Sequence, residues 1–390
     1  MKKFFCNIIY CFVITVTAQN SLKNKIDSIA LKEIKQTGIP SIQIAIGYDD
    51  KIIYSNSFGF ANIENNVKAS IQSKYRTASV SKWFTATLAM KLAIEKKIDL
   101  DTPIQNYCPH FPTKQWNITT RHLLTHVSGI RHYKNFEREF QKAKTAKDSN
   151  AIEFNRIKSQ LGKYTRYTNS TEPLENFKND SLLYKPNTNW NYSSFGYRLL
   201  GCILSDVMNT SYKSLLKYYI FDPAKMKHTT SDDSYSIINH RVSGYRLLKN
   251  EKIRRANMRD VSENLPAGGH LSTAEDLIKF AQAFQQEKFF SNKVINQMQT
   301  PYLNDDKTYT PSWRDAIPTK EKYGYGLMIF HDKNEKRYGH TGRQAGASSI
   351  VITIPSKKIY IAVLTNIKGW RGYISFTKKI EKILCEHYHF

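Results

Sequence analysis

The chain has few cysteines, few acidic residues and, beyond its first residues, no long apolar run. Its 390 residues include 5 cysteines, 33 Asp and Glu and 58 Lys and Arg, so the formal net charge is +25. No zinc-finger spacing and no nucleic-acid motif accompany this positive charge. We therefore expect no nucleic-acid partner, and the basic surface is either simply solvated or attracted to anionic surfaces.

The first 18 residues have the pattern of a secretory signal peptide. Two lysines precede an apolar segment over 4–16 that is too short to span a bilayer, and small residues then suit cleavage after Ala18. We expect an exported protein, periplasmic or secreted, with no stable membrane span after signal removal. The remaining cysteines are Cys108, Cys202 and Cys385. Three cysteines allow at most one disulfide, so no disulfide framework is expected.

A serine and a lysine, Ser79 and Lys82, open a segment that we predict to be a helix. Apolar side chains recur there at four-residue spacing, at Phe84, Leu88 and Leu92, without Gly or Pro between them. If Ser79 begins the helix, Lys82 lies one turn on and on the same side. The pair then offers a hydroxyl nucleophile, a neighbouring amine and the positive end of a helix. Taken alone, Ser79 suits a helix cap equally well.

Two histidines, His122 and His126, lie four residues apart on a short helix predicted over 119–126. They could share a metal ion on one helix face. The residue after His122 is Leu123, whereas a zinc hydrolase of the H-E-x-x-H type needs a glutamate there. We therefore expect no metal and no cofactor, and a metallohydrolase is only a distant alternative.

Strand patterns occur at both ends of the chain, and helical patterns dominate its middle. Ile42, Ile44 and Ile46 alternate with polar or small residues, which indicates a half-buried strand. Further strands are predicted at 52–58, 323–330, 347–354 and 359–365, and terminal helices at 22–34 and 372–386. This order favours an α+β fold in which one antiparallel sheet, built from both chain ends, is flanked by helices. A mostly helical lobe lies beside it, with the active site between them.

The predicted domain organisation follows from this order of elements. Residues 1–18 form the signal peptide, and 19–390 form one catalytic domain. Its α/β lobe spans about 19–95 and 310–390, and its helical lobe spans about 96–309.

Several short motifs follow one another along the chain in an order typical of a known family. The motifs are Gly38-Ile39-Pro40, Tyr75-Arg76-Thr77-Ala78-Ser79-Val80-Ser81-Lys82, Leu123-Leu124-Thr125-His126-Val127-Ser128-Gly129-Ile130-Arg131-His132-Tyr133, Tyr192-Ser193-Ser194-Phe195-Gly196-Tyr197, Ala267-Gly268-Gly269, Tyr323-Gly324-Tyr325-Gly326 and His340-Thr341-Gly342. Together they resemble the serine β-lactamase and penicillin-binding superfamily. The resemblance is to the class C-like branch, which includes the mitochondrial β-lactamase-like proteins, and it covers nearly all of the chain after the signal.

The resemblance implies roles for the catalytic residues. Ser79 is the nucleophile, and Lys82 and Tyr192 share the role of base in a way that the sequence does not apportion. His340, where many relatives have lysine, either holds the hydrogen-bond network or faces a substrate carboxylate, which it would recognise less well above its pKa of about 6.5. The backbone N–H groups of Ser79 and Arg343 are expected to bind the oxyanion.

The substrate-binding residues that the resemblance implies are Ser194, Thr341, Gly342 and Arg343. Gly342 lets substrate approach the strand backbone closely. Two of them depart from the family pattern. Ser194 stands where many β-lactamases have Asn, and a hydroxyl lacks the two donors of an amide. Arg343 is bulky and basic, and it either recruits an acidic substrate or points away.

The sequence therefore predicts a serine hydrolase that acts through an acyl-enzyme on an amide or ester. Its partner would be a small-molecule or peptide substrate, such as a β-lactam, a D-amino-acid peptide, a peptidoglycan-derived stem or a small ester. The alternative is a catalytically silent relative that binds or scaffolds at the cell wall.

Overall fold

The computed structural model describes residues 21–134, 136–248, 252–303, 322–332, 335–370 and 372–390. Its helices are α1 (21–37), α2 (Ser81–Ile94), α3 (Thr120–Leu124), α4 (Phe136–Lys142), α5 (Ala146–Leu161), α6 (Ser194–Met208), α7 (Tyr212–Leu216), α8 (Leu265–Gly268), α9 (Ala274–Gln285), α10 (Asn292–Met298) and α11 (Tyr373–Tyr388). Its strands are β1 (Ser41–Tyr48), β2 (Lys51–Asn62), β3 (Val67–Lys68), β4 (Tyr75–Arg76), β5 (Thr230–Ser231), β6 (Tyr245–Leu247), β7 (Ile253–Arg255), β8 (His270–Ser272), β9 (Lys322–Tyr323), β10 (Met328–Asp332), β11 (Glu335–Gln344), β12 (Ala347–Ile354), β13 (Ile359–Thr365) and β14 (Ile367–Lys368). The predicted signal peptide, 1–18, lies outside the described residues. Across the ranges described, no helix combines the length and apolar character needed to cross a membrane.

One large antiparallel sheet organises the fold. Its strands lie in the order β3-β2-β1-β13-β12-β11-β10-β9, so strands from the two ends of the chain meet where β1 pairs with β13. This confirms the predicted α+β class and the sheet built from both chain ends. The prediction that β1 is half-buried was wrong, because every residue from Ser41 to Gly47 is buried.

Helices cover both faces of the sheet, which explains the burial of β1. Ile42, Ile44 and Ile46 belong to the core that includes α1 and α11, while Ala45 belongs to the core that includes α9. Since successive side chains of a strand point to opposite faces, the two groups of helices lie on opposite sides. Thus α9, although it falls within the segment predicted as the helical lobe, packs on the sheet.

The helical lobe packs against α2. This helix is buried on nearly all sides, so the predicted single apolar face underestimates its contacts; its residues from Ser81 to Met90 are all buried. A disulfide joins Cys108 to Cys202 of α6, and Cys385 is free. The single bridge agrees with the limit of one that the cysteine count sets. Because α2 lies between the sheet and α6, its first turn faces the junction of the two lobes.

Candidate active site

Ser79 lies on a tight turn that leads into α2. A 3₁₀ turn over Ala78–Val80 precedes the α-helix, so the helix starts two residues later than the sequence predicted. Ala78 has a φ of 47°, in the left-handed region that is costly for a residue with a Cβ atom. The strained residue directly before Ser79 turns the chain sharply, and Ser79 remains partly exposed while Lys82 is fully buried.

Lys82 is the centre of the site. Its Nζ atom lies 3.3 Å from Ser79 Oγ, 3.1 Å from Ser194 Oγ and 2.7 Å from the carbonyl oxygen of Ala267. Burial places the pKa of Lys82 well below its ordinary value of 10.5, and the positive charge of Arg198 lowers that pKa further. In the part of the chain that the structure describes, no carboxylate forms an ion pair with Lys82. The environment therefore favours the neutral amine.

Arg198 is a residue that sequence reasoning missed. It lies on α6, one turn after Ser194, and it is 2% exposed. Its guanidinium lies 3.1 Å from the Glu263 carboxylate and donates to Asn264 Oδ1 at 3.2 Å. The spacing of four from Ser194 was the available signal, because it places both residues on one face of α6.

Tyr192 lies beside Lys82 and is also buried. The Lys82 Nζ atom is 4.8 Å from the centre of the Tyr192 ring. Burial raises the pKa of Tyr192, and a hydrogen bond with Ser79 opposes that rise. The phenol is therefore protonated at neutral pH and offers an O–H donor next to the nucleophile.

Two histidines, the buried His126 and the half-buried His132, hold the segment that carries Tyr192 and Ser194. The N–H of Ser193 donates to His126 Nδ1 at 3.2 Å, and the N–H of Ser194 donates to His132 Nδ1 at 3.1 Å. Desolvation is the main cause that lowers the pKa of His132 to about 3, and it also places the pKa of His126 far below its usual range. Both rings are therefore neutral acceptors. The sequence placed His132 inside a family motif but gave it no role.

The rings of His122 and His126 form hydrogen bonds with different partners. Thr119 N–H donates to His122 Nδ1 at 3.2 Å and completes a capping box at the start of α3, while His126 accepts from Ser193. Within the described ranges, the one group of three metal-competent side chains comprises Cys108, Cys202 and Asp206, and its two cysteines form the disulfide.

His340 is fully buried on β11 and holds hydrogen bonds. Its Nδ1 lies 2.6 Å from the carbonyl oxygen of Thr341, so Nδ1–H donates and Nε2 accepts from the Tyr323 hydroxyl at 3.1 Å. Burial is the main cause that lowers the pKa of His340 to about 3. The imidazole is thus neutral at physiological pH. Of the two roles expected from the sequence, this geometry fits the hydrogen-bond network rather than a charge for a substrate carboxylate.

The other predicted residues of β11 take three different positions. Gly342 packs on the turn before Ser79, where a Cβ atom would collide with Thr77 O. The Thr341 hydroxyl contacts Met328 Sδ at 3.5 Å. The Arg343 side chain is exposed, and within the described ranges it has no ion-pair partner. The strand backbone therefore lies next to the nucleophile, while the oxyanion role of Arg343 N–H stays a prediction.

The structure thus gathers Ser79, Lys82, Tyr192 and Ser194 at one point between the lobes. A hydroxyl nucleophile, a buried amine and a protonated phenol in contact are suited to acyl transfer. Thr341 and the side chain of Arg343 do not join this group.

Comparisons with known proteins agree with this geometry. A family model described as Beta-lactamase matches residues 26–376. The serine beta-lactamase-like protein LACTB, mitochondrial, of Homo sapiens is 29% identical over an alignment of 412 positions, gaps included, which covers 89% of this chain and 73% of that protein. Protein flp of Staphylococcus aureus (strain MW2) is 27% identical over 357 residues, which cover 90% of this chain and 64% of that protein. The family match includes every candidate site residue.

Solved structures share the fold. The octameric penicillin-binding protein homologue from Pyrococcus abyssi has a TM-score of 0.73 at 26% identity and covers 91% of this chain and 76% of its own. The D-amino acid amidase from Ochrobactrum anthropi SV3 has a TM-score of 0.75 at 20% identity, covering 94% of this chain and 99% of its own. EstCE1, a hydrolase with promiscuous acyltransferase activity, has a TM-score of 0.75 at 18% identity, with the same coverage.

Proposed function

Because the chain belongs to the beta-lactamase family of serine hydrolases, we propose that it cleaves an amide or ester through an acyl-enzyme on Ser79. The candidate substrates are a β-lactam, a D-amino-acid peptide or a small ester. A D-amino acid amidase and a hydrolase with promiscuous acyltransferase activity share its fold. The observation that carries the proposal is the contact of buried Lys82 with Ser79 Oγ at 3.3 Å.

Lys82 is the base in this proposal, and Tyr192 donates a hydrogen bond. A neutral amine has two N–H donors and one lone pair. The Ala267 carbonyl only accepts and takes one N–H, and the Ser194 hydroxyl accepts the second. The lone pair is then free to accept the Ser79 proton. Tyr192 is the poorer base candidate, because its raised pKa keeps it protonated.

The chemical steps follow from these contacts. Ser79 Oγ bonds to the substrate carbonyl carbon while its proton moves to Lys82 Nζ. The tetrahedral intermediate collapses when the leaving group departs with a proton from the Lys82 ammonium, and the Tyr192 hydroxyl hydrogen-bonds to that leaving atom. Water then attacks the acyl carbon while one of its protons moves to the neutral Lys82. The second tetrahedral intermediate collapses as the Lys82 ammonium returns that proton to Ser79 Oγ, which releases the acid and restores the neutral amine.

The oxyanion of each intermediate would be bound by the backbone N–H groups of Ser79 and Arg343. The packing of Gly342 against the turn at Thr77 supports this proposal, because it brings the β11 backbone to the nucleophile. Each such donor contributes about 3 kcal/mol to lowering the barrier.

Export is part of the proposal. The signal-like pattern of residues 1–18 supports it, and the Cys108–Cys202 disulfide is typical of proteins in oxidising compartments. Secretion of a tagged full-length chain, followed by N-terminal sequencing, tests this point. A mature form beginning at Gln19 is expected, and a chain that stays uncleaved in the cytoplasm would contradict export.

A substrate panel tests the catalytic proposal. A chromogenic ester, a D-Ala-D-Ala peptide and a chromogenic cephalosporin are each incubated with the wild type and with Ser79→Ala. Ser81→Ala is the matched control, since it removes a hydroxyl two residues away that bonds to Thr77. We expect turnover of at least one substrate by the wild type and the control, and none by Ser79→Ala. A folded wild type that turns over none of the three would favour the catalytically silent alternative.

A further inference from the structure

Three cations stand side by side on the small sheet formed by β14, β6 and β7. The register pairs Lys368 with Arg246 and Arg246 with Arg254. Directly paired residues of neighbouring strands point to the same face, so the three side chains form one row. All three are exposed, whereas Ile367 and Tyr245, one position earlier on their strands, are buried. The row therefore faces outward.

A close backbone contact joins this sheet to the catalytic strand. Gly346, in the turn after β11, packs on Gly244 just before β6, and a methyl group on Gly346 would lie 2.6 Å from the Gly244 Cα atom. Arg76 reinforces the junction, because its guanidinium donates to Ala345 O and to Arg259 O, each at 3.2 Å. Arg343 lies on β11 two residues before Ala345, so it precedes this junction directly along the chain.

Five basic residues converge at this junction. Partial desolvation of Lys368, whose side chain still reaches solvent, lowers the pKa of its amine, and the positive charges of Arg246, Arg343, Arg259 and Lys163 lower that pKa further. We call Lys163, Arg246, Arg343 and Lys368 the basic cluster. Arg259, beside it, shares the single carboxylate of Glu263 with Arg198, so that trio keeps one net positive charge.

The basic cluster lacks the counterions that most other arginines have. Arg121, Arg131 and Arg337 each pair with a carboxylate at 2.7 Å or less. No ion pair in the described part of the chain involves a member of the cluster. Like charges placed next to each other on a sheet are destabilising, so the arrangement costs stability that a bound anion would offset.

The cluster also adjoins the nucleophile. Arg343 follows Gly342, which packs against the turn that carries Ser79. A substrate whose carbonyl lies at Ser79 and whose chain follows β11 would therefore reach the cluster. Lys163 lies beside Arg259, because the Lys163 carbonyl oxygen accepts from the N–H of the next residue, Asp260, at 2.9 Å.

We propose that the basic cluster binds a part of the substrate that carries several negative charges, such as phosphates or clustered carboxylates. The proposal rests on the serine-hydrolase function and adds a substrate class to it. The amide or ester bond is cleaved at Ser79, while the anionic part is held outside the site by Arg343, Arg246, Lys368 and Lys163.

Binding of inorganic tripolyphosphate tests the cluster without using catalysis. Calorimetry at about 50 mM salt compares Ser79→Ala with the same protein carrying Arg246→Gln and Lys368→Gln. Removing two of the charges should raise the Kd about tenfold. The control carries Lys32→Gln and Lys35→Gln, two exposed lysines of α1, and should bind like its parent. No binding, or equal weakening by both pairs, would overturn the proposal, because the charge would then act only as a general surface property.

Hydrolysis of paired esters tests whether the cluster serves the substrate. The substrates are 4-nitrophenyl acetate, which is neutral, and mono-4-nitrophenyl glutarate, which carries a carboxylate. We expect the ratio of kcat/KM for the anionic to the neutral ester to fall about three- to tenfold in the Arg246→Gln/Lys368→Gln protein. An unchanged ratio would overturn the substrate role. The wild type could bind tripolyphosphate and yet cleave none of the esters and none of the panel substrates. That result would contradict the proposed catalytic function and would still support the anion-binding site.

Discussion

The Nζ atom of Lys82 lies 2.7 Å from the carbonyl oxygen of Ala267, in α8 of the helical lobe. This contact fixes the amine at the junction between α2 and the helical lobe. A carbonyl oxygen only accepts hydrogen bonds, so it binds one N–H of Lys82 and leaves the rest of the amine directed toward Ser79 and Ser194. The position of the base therefore depends on a backbone atom that no side-chain motif records.

Removal of the Ser194 hydroxyl tests the orientation of Lys82. Ser194→Ala takes away a partner at 3.1 Å, and loss of one such hydrogen bond should lower kcat/KM about tenfold. Ser205→Ala is the matched control on the same helix, since its hydroxyl bonds to Ser170 instead. Steady-state hydrolysis of the best panel substrate measures both variants. Equal rates for Ser194→Ala and the wild type would show that this contact does not orient the base.

The pH dependence of the reaction tests the neutral state of Lys82. A base must be deprotonated to act, so kcat/KM should rise with pH through a limb that lies well below 10.5. Arg198→Gln removes the nearby buried cation, so this limb should move to higher pH and the rate at pH 7 should fall about fivefold. Arg198→Lys keeps the charge and serves as the control. A limb that stays in place in Arg198→Gln would contradict the electrostatic role of Arg198.

Protein stability should reflect the same buried amine. Lys82 carries a proton in the unfolded chain below pH 10.5 and loses it on folding, because its folded pKa is depressed. The unfolded state thus binds more protons, and stability falls as pH falls below 10.5. Lys82→Met removes this penalty and should raise the free energy of unfolding at pH 7 by about 1–3 kcal/mol. Urea unfolding of the wild type and Lys82→Met at pH 7 and pH 10 measures this difference in the free energy of unfolding. A difference that is as large at pH 10 as at pH 7 would argue against a neutral Lys82.

The disulfide should contribute strongly to stability. Cys108 and Cys202 are 94 residues apart, and a cross-link over such a long loop restricts the unfolded chain. The double variant Cys108→Ala/Cys202→Ala should lose about 2–5 kcal/mol in urea unfolding. Cys385→Ala, which removes the free cysteine, should change stability by less than about 0.5 kcal/mol. Dithiothreitol should destabilise the wild type but not the double variant. Equal destabilisation of both proteins would contradict the prediction that the Cys108–Cys202 disulfide is the stabilising cross-link.

Much of the fold was accessible from the sequence, because the strands carry regular apolar patterns and the terminal helices have clear ends. The sheet that joins β1 to β13 follows from those patterns. The full burial of β1 was missed, since only the packing of α9 on the second face reveals it. Likewise the sequence predicts that α2 has one apolar face, at Phe84, Leu88 and Leu92, but its other faces are also buried.

The candidate site likewise contains residues that the sequence predicts and residues that it does not. The sequence predicts Ser79, Lys82 and Tyr192 because each stands in a short motif with its own chemistry. It does not predict the roles of the Ala267 carbonyl and His132. The first is a backbone atom that accepts from Lys82, and the second is a side chain that accepts from the backbone N–H of Ser194. Arg198 affects Lys82 only through burial and charge. Such groups are recognisable once the chain is folded, since their role depends on contacts between distant segments.

The most direct test of the account is to map the site of covalent modification. The folded protein is treated with a fluorophosphonate probe at several pH values, digested and analysed by mass spectrometry. We expect one adduct, on the peptide containing Ser79, whose formation rate rises with the deprotonation of Lys82 and which is absent from Ser79→Ala. An adduct on another residue, or none on the folded wild type at any pH, would contradict the assignment of Ser79 as the nucleophile and Lys82 as its base.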